Sequence, residues 1–169
     1  VDAEIPGGNI IVESVAGDSI RVRQDLRDTQ GQWFYWAFRV RGAAGRTLHV
    51  EFTDGDVIGV RGPAVSTDRG RTWQWLGADA VEGASFRFRV PPAAREVRFS
   101  MNIPYFESDL RAFLKRHAGN PSLEVGVLAR SRKGRPIEQL RLGRLDGHAA
   151  HRVLLTARHH ACESLASYS

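Results

Sequence analysis

The first hundred residues alternate apolar and polar side chains in short runs that Gly, Asp and Pro separate. Period-two alternation is typical of strands that bury one face, and Asp54-Gly55 and Pro91-Pro92 supply turn chemistry between such runs. Many short strands with one apolar face each favour a β-sandwich. We predict strands at 9–15, 20–23, 33–41, 47–52, 72–76, 85–90 and 96–100.

The pattern changes at Asn102-Ile103-Pro104-Tyr105. Ser108 or Asp109 can cap a helix, whose apolar residues then recur at helical spacing up to about His117. A Gly-Asn-Pro sequence follows at 119–121 and stops the helical pattern. The sequence therefore predicts one helix directly after the sandwich.

Three strand-like runs come after the helix, at 123–130, 137–142 and 152–157, and a turn at 133–136 joins the first two. The third run is apolar on both faces, which is typical of a strand inside a covered sheet. Such a strand needs neighbours on both sides, and this chain has too few elements to supply them. We predict a β-sandwich domain over 1–101, followed over 102–169 by the opening of an incomplete α/β domain.

The net charge of +5 raises the question of an anionic partner such as nucleic acid. However, the arginines occur as pairs that flank one apolar residue, as Arg21 and Arg23 do, so they lie on the solvated faces of strands. No Lys/Arg cluster accompanies them, and no apolar run approaches the ~20 residues of a membrane span. We therefore expect neither nucleic acid nor a membrane as a partner.

Cys162 is the single cysteine, so the chain has no intrachain disulfide framework and gives no reason to demand an oxidising compartment. This favours the cytoplasm but leaves the location open. The sequence opens at Val1-Asp2-Ala3-Glu4 without an initiator Met, so we expect that upstream residues were removed by processing or cloning.

The densest set of metal-capable side chains is Arg158-His159-His160-Ala161-Cys162-Glu163. A histidine and a glutamate three residues apart on a turn, here His160 and Glu163, can direct an imidazole nitrogen and a carboxylate oxygen at one ion. Two histidines, a glutamate and water form a catalytic zinc arrangement. On spacing alone, a polar turn with Glu163 near a helix start is the favoured alternative.

Cys162 allows three interpretations: a nucleophile paired with His159 or His160, a further metal ligand, or a small buried residue. Adjacent residues do not normally reach the geometry of nucleophilic attack, so we favour the buried residue. The aromatic run 33–36 allows a ligand platform or core packing. Alternation predicts Phe34, Trp36 and Phe38 inside the core, with Trp33 and Tyr35 outside it. The tryptophans at 73 and 75 share one face, which could stack a sugar or pack on a neighbouring domain.

Three ordered motifs resemble the cytosolic-carboxypeptidase-like zinc peptidases. They are Ile103-Pro104-Tyr105-Phe106-Glu107-Ser108-Asp109-Leu110, Ser131-Arg132-Lys133-Gly134-Arg135-Pro136-Ile137 and Ala157-Arg158-His159-His160-Ala161-Cys162-Glu163. The resemblance extends over essentially the whole chain. Ala161-Cys162 stands where the eukaryotic branch commonly has Pro-Gly.

The resemblance implies a β-sandwich ahead of a catalytic domain, with His160 and Glu163 as the first two ligands of Zn²⁺. It implies that the third ligand, the arginines for the substrate carboxylate and the general-base glutamate lie downstream of Ser169, so the catalytic residues of this chain are unknown. The other histidines are not at ligand positions of the family: His49, His117, His148, His151 and His159.

The implied function is removal of carboxyl-terminal residues from peptides or proteins, by a mechanism in which zinc and a glutamate activate water. We expect the chain alone to be inactive. The alternative is a non-catalytic β-sandwich binding module with a vestigial metal motif. Further partners could be the remainder of the catalytic domain or another copy of the chain across an open sheet edge.

Overall fold

A computed structural model describes residues 1–27, 29–31, 33–160 and 162–168. It divides into two compact units. Unit 1 contains Val1–Phe106 and the described residues from Ala157 onward, and unit 2 is Glu107–Thr156. The division into two domains at 1–101 and 102–169, which the sequence suggests, remains a prediction.

Unit 1 contains two sheets. In the described residues its strands are β1 (Ile11–Ala16), β2 (Ser19–Arg23), β3 (Ala37–Arg41), β4 (Thr47–Phe52), β5 (Ala64–Ser66), β6 (Gln74–Trp75), β7 (Val81–Glu82), β8 (Ser85–Arg89) and β9 (Glu96–Ser100). One sheet has the order β1-β2-β4-β8-β7 and the other β3-β9-β5-β6. Neighbouring strands are antiparallel except β2 and β4, which run parallel.

Alternation along these strands fills the core, as the sequence predicts. In β4, Leu48, Val50 and Phe52 are buried while the residues between them are partly exposed. In β9, Val97 and Phe99 are buried in the same way. Because successive side chains point to opposite faces, each strand contributes one apolar face to a shared core.

Aromatic rings join the two sheets. Phe86 of β8 and Phe99 of β9 lie 5.0 Å apart between ring centroids, and Trp36 lies 4.5 Å from Phe52 of β4. Trp36 is fully buried, and its indole N–H donates to the backbone carbonyl of Val57 at 2.9 Å. The burial of such large side chains between the sheets is the main source of stability here.

The prediction for Phe34 was wrong. This residue is 47% exposed, whereas Trp36 and Phe38 are buried as expected. The strand begins at Ala37 and not at residue 33, so period-two alternation does not extend back to Phe34.

Asp68 organises the turn between β5 and β6. Its Oδ1 accepts hydrogen bonds from the hydroxyl of Ser66 at 2.8 Å and from the backbone N–H groups of Arg71 and Thr72 at 3.0 Å each. Its Oδ2 accepts from the Thr72 hydroxyl at 2.6 Å. These bonds to the ionised form lower the pKa of Asp68 from 3.8 to about 2, with Thr72 the largest contributor.

Unit 2 contains helix α1 (Glu107–Arg116) and a hairpin of β10 (Leu123–Arg130) and β11 (Pro136–Leu142). The helix begins at Glu107, so the predicted caps Ser108 and Asp109 both lie inside its first turn. Glu107 pairs with Arg111 one turn later. The hairpin is antiparallel, with an irregular register between Val127 and Ala129. The predicted helix and hairpin are thus present.

The strand predicted at 152–157 does not form. The structure assigns no strand to these residues, and Val153, Leu154 and Leu155 are between 82% and 86% exposed. A segment that is apolar on both faces needs flanking strands for its backbone hydrogen bonds and cover for both faces.

Within the described residues, no helix is long and apolar enough to cross a membrane.

Candidate functional site

His160 and Glu163, the two predicted metal ligands, meet at one turn near the end of unit 1. The Nδ1 atom of His160 lies 2.9 Å from Oε1 of Glu163. The backbone N–H of His160 donates to Oε2 of Glu163 at 3.2 Å, and the Glu163 N–H donates to the His160 carbonyl at 3.0 Å. The two side chains are therefore fixed to each other across the turn.

Both side chains face solvent, with 64% of His160 and 50% of Glu163 exposed. The hydrogen bond from the His160 side chain, followed by that from its backbone N–H, holds the pKa of Glu163 below its usual value. The carboxylate is therefore ionised at neutral pH, which is the state that binds a cation.

The donor set suits zinc. An imidazole nitrogen and a carboxylate oxygen are both common zinc ligands, and ligand atoms about 2.1 Å from a tetrahedral ion lie roughly 3.4 Å apart. The observed 2.9 Å between Nδ1 and Oε1 is a hydrogen-bond distance. The two atoms would have to move apart by about 0.5 Å to hold one ion. Among the side chains that the structure describes, no group of three or more His, Cys, Asp or Glu could hold a metal ion. Ala161 of the predicted motif lies outside the described residues.

Asn102 connects this turn to the end of β9, although no sequence motif singles it out as a site residue. Its side-chain amide donates to the carbonyl of Cys162, and its Oδ1 accepts from the Ser164 hydroxyl at 3.2 Å. Ser164 also bonds the carbonyl of Ile103 at 2.7 Å. Asn102 and Ser164 are buried, so these bonds are shielded from water.

Further contacts hold both sides of the turn. The guanidinium of Arg158 donates to the carbonyl of Tyr105 at 2.5 Å. The hydroxyl of Tyr168 donates to the carbonyl of Pro104 at 2.6 Å, and the rings of Tyr105 and Tyr168 meet edge to face at 4.9 Å. The turn that carries His160 is therefore bound to residues 102–105 before and after the ligand pair.

Cys162 is a buried free thiol. Burial raises the pKa of this thiol, which disfavours the nucleophilic thiolate. This environment agrees with the buried-residue interpretation favoured from the sequence.

Trp33 approaches the ligand pair from the loop before β3. Its ring centroid lies 6.4 Å from that of His160 and 5.0 Å from that of Phe34. The sequence predicted Trp33 outside the core and did not connect it with His160. The tryptophans at 73 and 75 lie around β6, where Arg61 stacks over Trp75 at 5.8 Å.

The fold of this chain is similar to that of several solved structures. The chain superposes with a metallo-carboxypeptidase from Burkholderia cenocepacia at a TM-score of 0.79 and 24% identity, over 98% of this chain. It superposes with a metallo-carboxypeptidase from Pseudomonas aeruginosa, in complex with (2-guanidinoethylmercapto)succinic acid, at a TM-score of 0.63 and 26% identity over 86% of this chain. The chain has a fold that metallo-carboxypeptidases share over part of their length.

The chain spans less than half of these metallo-carboxypeptidases, 45% of the first and 40% of the second. No family model and no curated protein matches the sequence. The similarity is therefore one of fold.

Proposed function

We propose that this chain is the amino-terminal part of a zinc-dependent carboxypeptidase of the cytosolic-carboxypeptidase-like branch, and that the complete enzyme removes carboxyl-terminal residues from peptides or proteins. In this proposal, residues 1–101 form the β-sandwich domain and 102–169 open the catalytic domain. Three ordered sequence motifs and the fold shared with metallo-carboxypeptidases support it.

The observation that carries the proposal is the 2.9 Å approach of His160 Nδ1 to Glu163 Oε1. This pair suits a metal because an imidazole nitrogen and an ionised carboxylate meet on a turn that is held from both sides. A polar helix cap would require only Glu163, and it would give no reason for an imidazole nitrogen at the same point.

In the complete enzyme, His160 and Glu163 hold zinc, which when bound polarises a carbonyl and lowers the pKa of water. To bind zinc through Nδ1, His160 would have to give up its hydrogen bond to Glu163 and present an Nδ1 atom without a proton. Asn102 positions the pair by holding the carbonyl of Cys162, between the two ligands in sequence.

We propose that the third ligand, the arginines that bind the substrate carboxylate and the general base lie beyond Ser169. The exposure of Val153, Leu154 and Leu155 supports this, because a fully apolar segment of this kind is suited to the middle of a larger sheet. We expect the chain alone to bind zinc weakly and to release no amino acid from peptides.

The test compares zinc content and carboxypeptidase activity in the natural polypeptide that carries this sequence. We expect His160→Ala and Glu163→Gln each to lower zinc affinity at least ten-fold and to abolish release of the terminal residue. His151→Ala and Glu138→Gln change exposed residues of the same types and should leave both properties unaltered.

Asn102→Ala adds a second arm. Because Asn102 contacts the turn and not the metal, we expect weaker zinc binding in a folded protein, on the order of ten-fold. Zinc content that is unchanged in all three site variants would contradict the proposal. A stable protein that ignores zinc and cleaves no peptide would instead support the non-catalytic binding module.

A further inference from the structure

A cavity of about 220 Å³ opens in unit 1, and Trp33 forms part of its lining. Its walls come from the loop before β1 and from the loop that joins β2 to β3, and they include Gly7, Leu26, Trp33 and Tyr35. Trp33 also approaches His160 at 6.4 Å. The Trp33 ring therefore lies next to both the cavity and His160.

The charged side chains of the cavity neutralise each other. Arg27 donates to Asp25 through its guanidinium at 2.9 Å and 3.1 Å, and the backbone N–H of Arg27 donates to the same carboxylate at 2.9 Å. These bonds, with the backbone N–H the largest contributor, hold the pKa of Asp25 below its usual value. A paired charge attracts an ionic ligand less strongly than an isolated one, so the cavity favours an uncharged occupant.

The uncharged polar groups of the lining are also bonded within the protein. The Asn9 amide donates to the carbonyl of Tyr35 at 2.9 Å, and the Tyr35 hydroxyl donates to the carbonyl of Gly7 at 2.9 Å. The Thr29 hydroxyl donates to the carbonyl of Leu26 at 2.6 Å. With these groups occupied, the surface offered to a ligand is mainly the aliphatic and aromatic surface of Leu26 and the two rings.

The size of the cavity limits what it can hold. A volume of about 220 Å³ corresponds to roughly seven water molecules at ~30 Å³ each. It lies below the ~300 Å³ at which ordinary small-molecule sites begin. One side chain of a longer ligand fits such a space better than a complete small molecule does.

We propose that this cavity is a substrate subsite, in which Trp33 and Leu26 receive an apolar or aromatic side chain of the peptide beside the His160–Glu163 pair. This inference rests on the proposed function. Recognition of the terminal residue is expected from residues beyond Ser169, so the subsite takes a residue on the amino-terminal side of the scissile bond. The unit that contains the two sheets would thereby help to select the substrate.

The first arm of the test measures kcat/KM of the natural polypeptide for two blocked peptides that end in the same residue and carry Phe or Gly just before the scissile bond. We expect the wild type to prefer Phe, and Trp33→Ala to reduce that preference about ten-fold. Trp33→Phe should retain most of it. Trp75→Phe changes a tryptophan outside the cavity and should leave the preference unchanged.

Leu26→Phe provides a second variant, because a larger side chain in the wall fills the cavity without removing Trp33. It should reduce the preference for Phe in the same direction, and circular dichroism should show that the protein remains folded. A preference that is unaltered in both Trp33→Ala and Leu26→Phe would overturn the subsite.

The second arm does not depend on activity. In protein labelled with 5-fluorotryptophan, the fluorine signal of Trp33 is assigned by its loss in Trp33→Phe. We expect N-acetyl-L-phenylalaninamide to shift this signal, in wild type and in His160→Ala, and N-acetylglycinamide to leave it in place. A signal that shifts while the wild-type protein has no peptidase activity refutes the proposed function and, with it, the role of the cavity as a substrate subsite. A signal that stays fixed in an active enzyme overturns the subsite alone.

Discussion

Replacing Asp68 by asparagine tests how much one carboxylate contributes to the turn between β5 and β6. The carboxylate accepts four hydrogen bonds, from Ser66, Arg71 and twice from Thr72. Asparagine keeps one oxygen acceptor but presents an amide N–H₂ in place of the other, so it no longer matches the donors around it. We expect the variant to fold with lower stability.

The magnitude follows from the pKa. Asp68 shifts from 3.8 to about 2, and a difference of about 1.8 units at 1.36 kcal/mol per unit gives roughly 2.4 kcal/mol as an upper bound. Because the carboxylate is partly exposed and solvent screens it, we discount this to about 1–2 kcal/mol. At roughly 2–4 °C per kcal/mol for a chain of this size, the melting temperature should fall by about 2–8 °C.

The same shift predicts a pH dependence. The unfolded carboxyl takes up its proton near pH 3.8 and the folded one near pH 2, so the stabilisation by Asp68 is complete above about pH 5 and is lost as the pH falls toward 2. Urea denaturation at several pH values measures it as the difference between wild type and Asp68→Asn. Asp56→Asn, at an exposed aspartate, serves as the control. A difference below about 0.5 kcal/mol at pH 7, or one that stays constant down to pH 2, would refute the reasoning.

Three further substitutions or reactions test the packing of unit 1. Trp36→Phe removes the donor to the buried Val57 carbonyl and should cost about 2–4 kcal/mol in urea denaturation, whereas a loss below 1 would contradict the packing. Gly8→Ala places a Cβ 1.9 Å from the Ala3 carbonyl oxygen and should lower the melting temperature by more than 5 °C, while Gly59→Ala, which meets nothing within 4 Å, should not. Thiol reagents should label Cys162 at least ten-fold more slowly in native than in urea-denatured protein, because the side chain is buried; equal rates would disprove its burial.

Strands with regular alternation were predictable, because burial of one face makes every second residue apolar in the sequence. The strand β4 agrees with the prediction at both ends. The strand β5 was missed because Ala64, Val65 and Ser66 are all buried, which removes the alternation, and because three residues are too few to form a pattern. The two residues of β7 carry even less signal.

The contact between His160 and Glu163 was predictable because the two residues are only three positions apart, and the structure brings them together. Their role as metal ligands stays a prediction. The residues that support this pair were not predictable, because they act between distant parts of the chain. Asn102 bonds Cys162 across 60 residues, and Trp33 lies still further from His160 in sequence. No local sequence pattern around Asn102 or Trp33 indicates these contacts, so only the structure identifies the two residues.

The bonds from residues 102–105 to the turn around His160 have a consequence for synthesis on the ribosome. All strands of both sheets in unit 1 have left the ribosome by the time Phe106 emerges, some fifty residues before the ligand turn. Because domains fold from the amino terminus as they are made, Asn102 and its neighbours are already in place as a template when Cys162 and Ser164 arrive. The turn around His160 then takes its shape by docking onto a surface that has already folded.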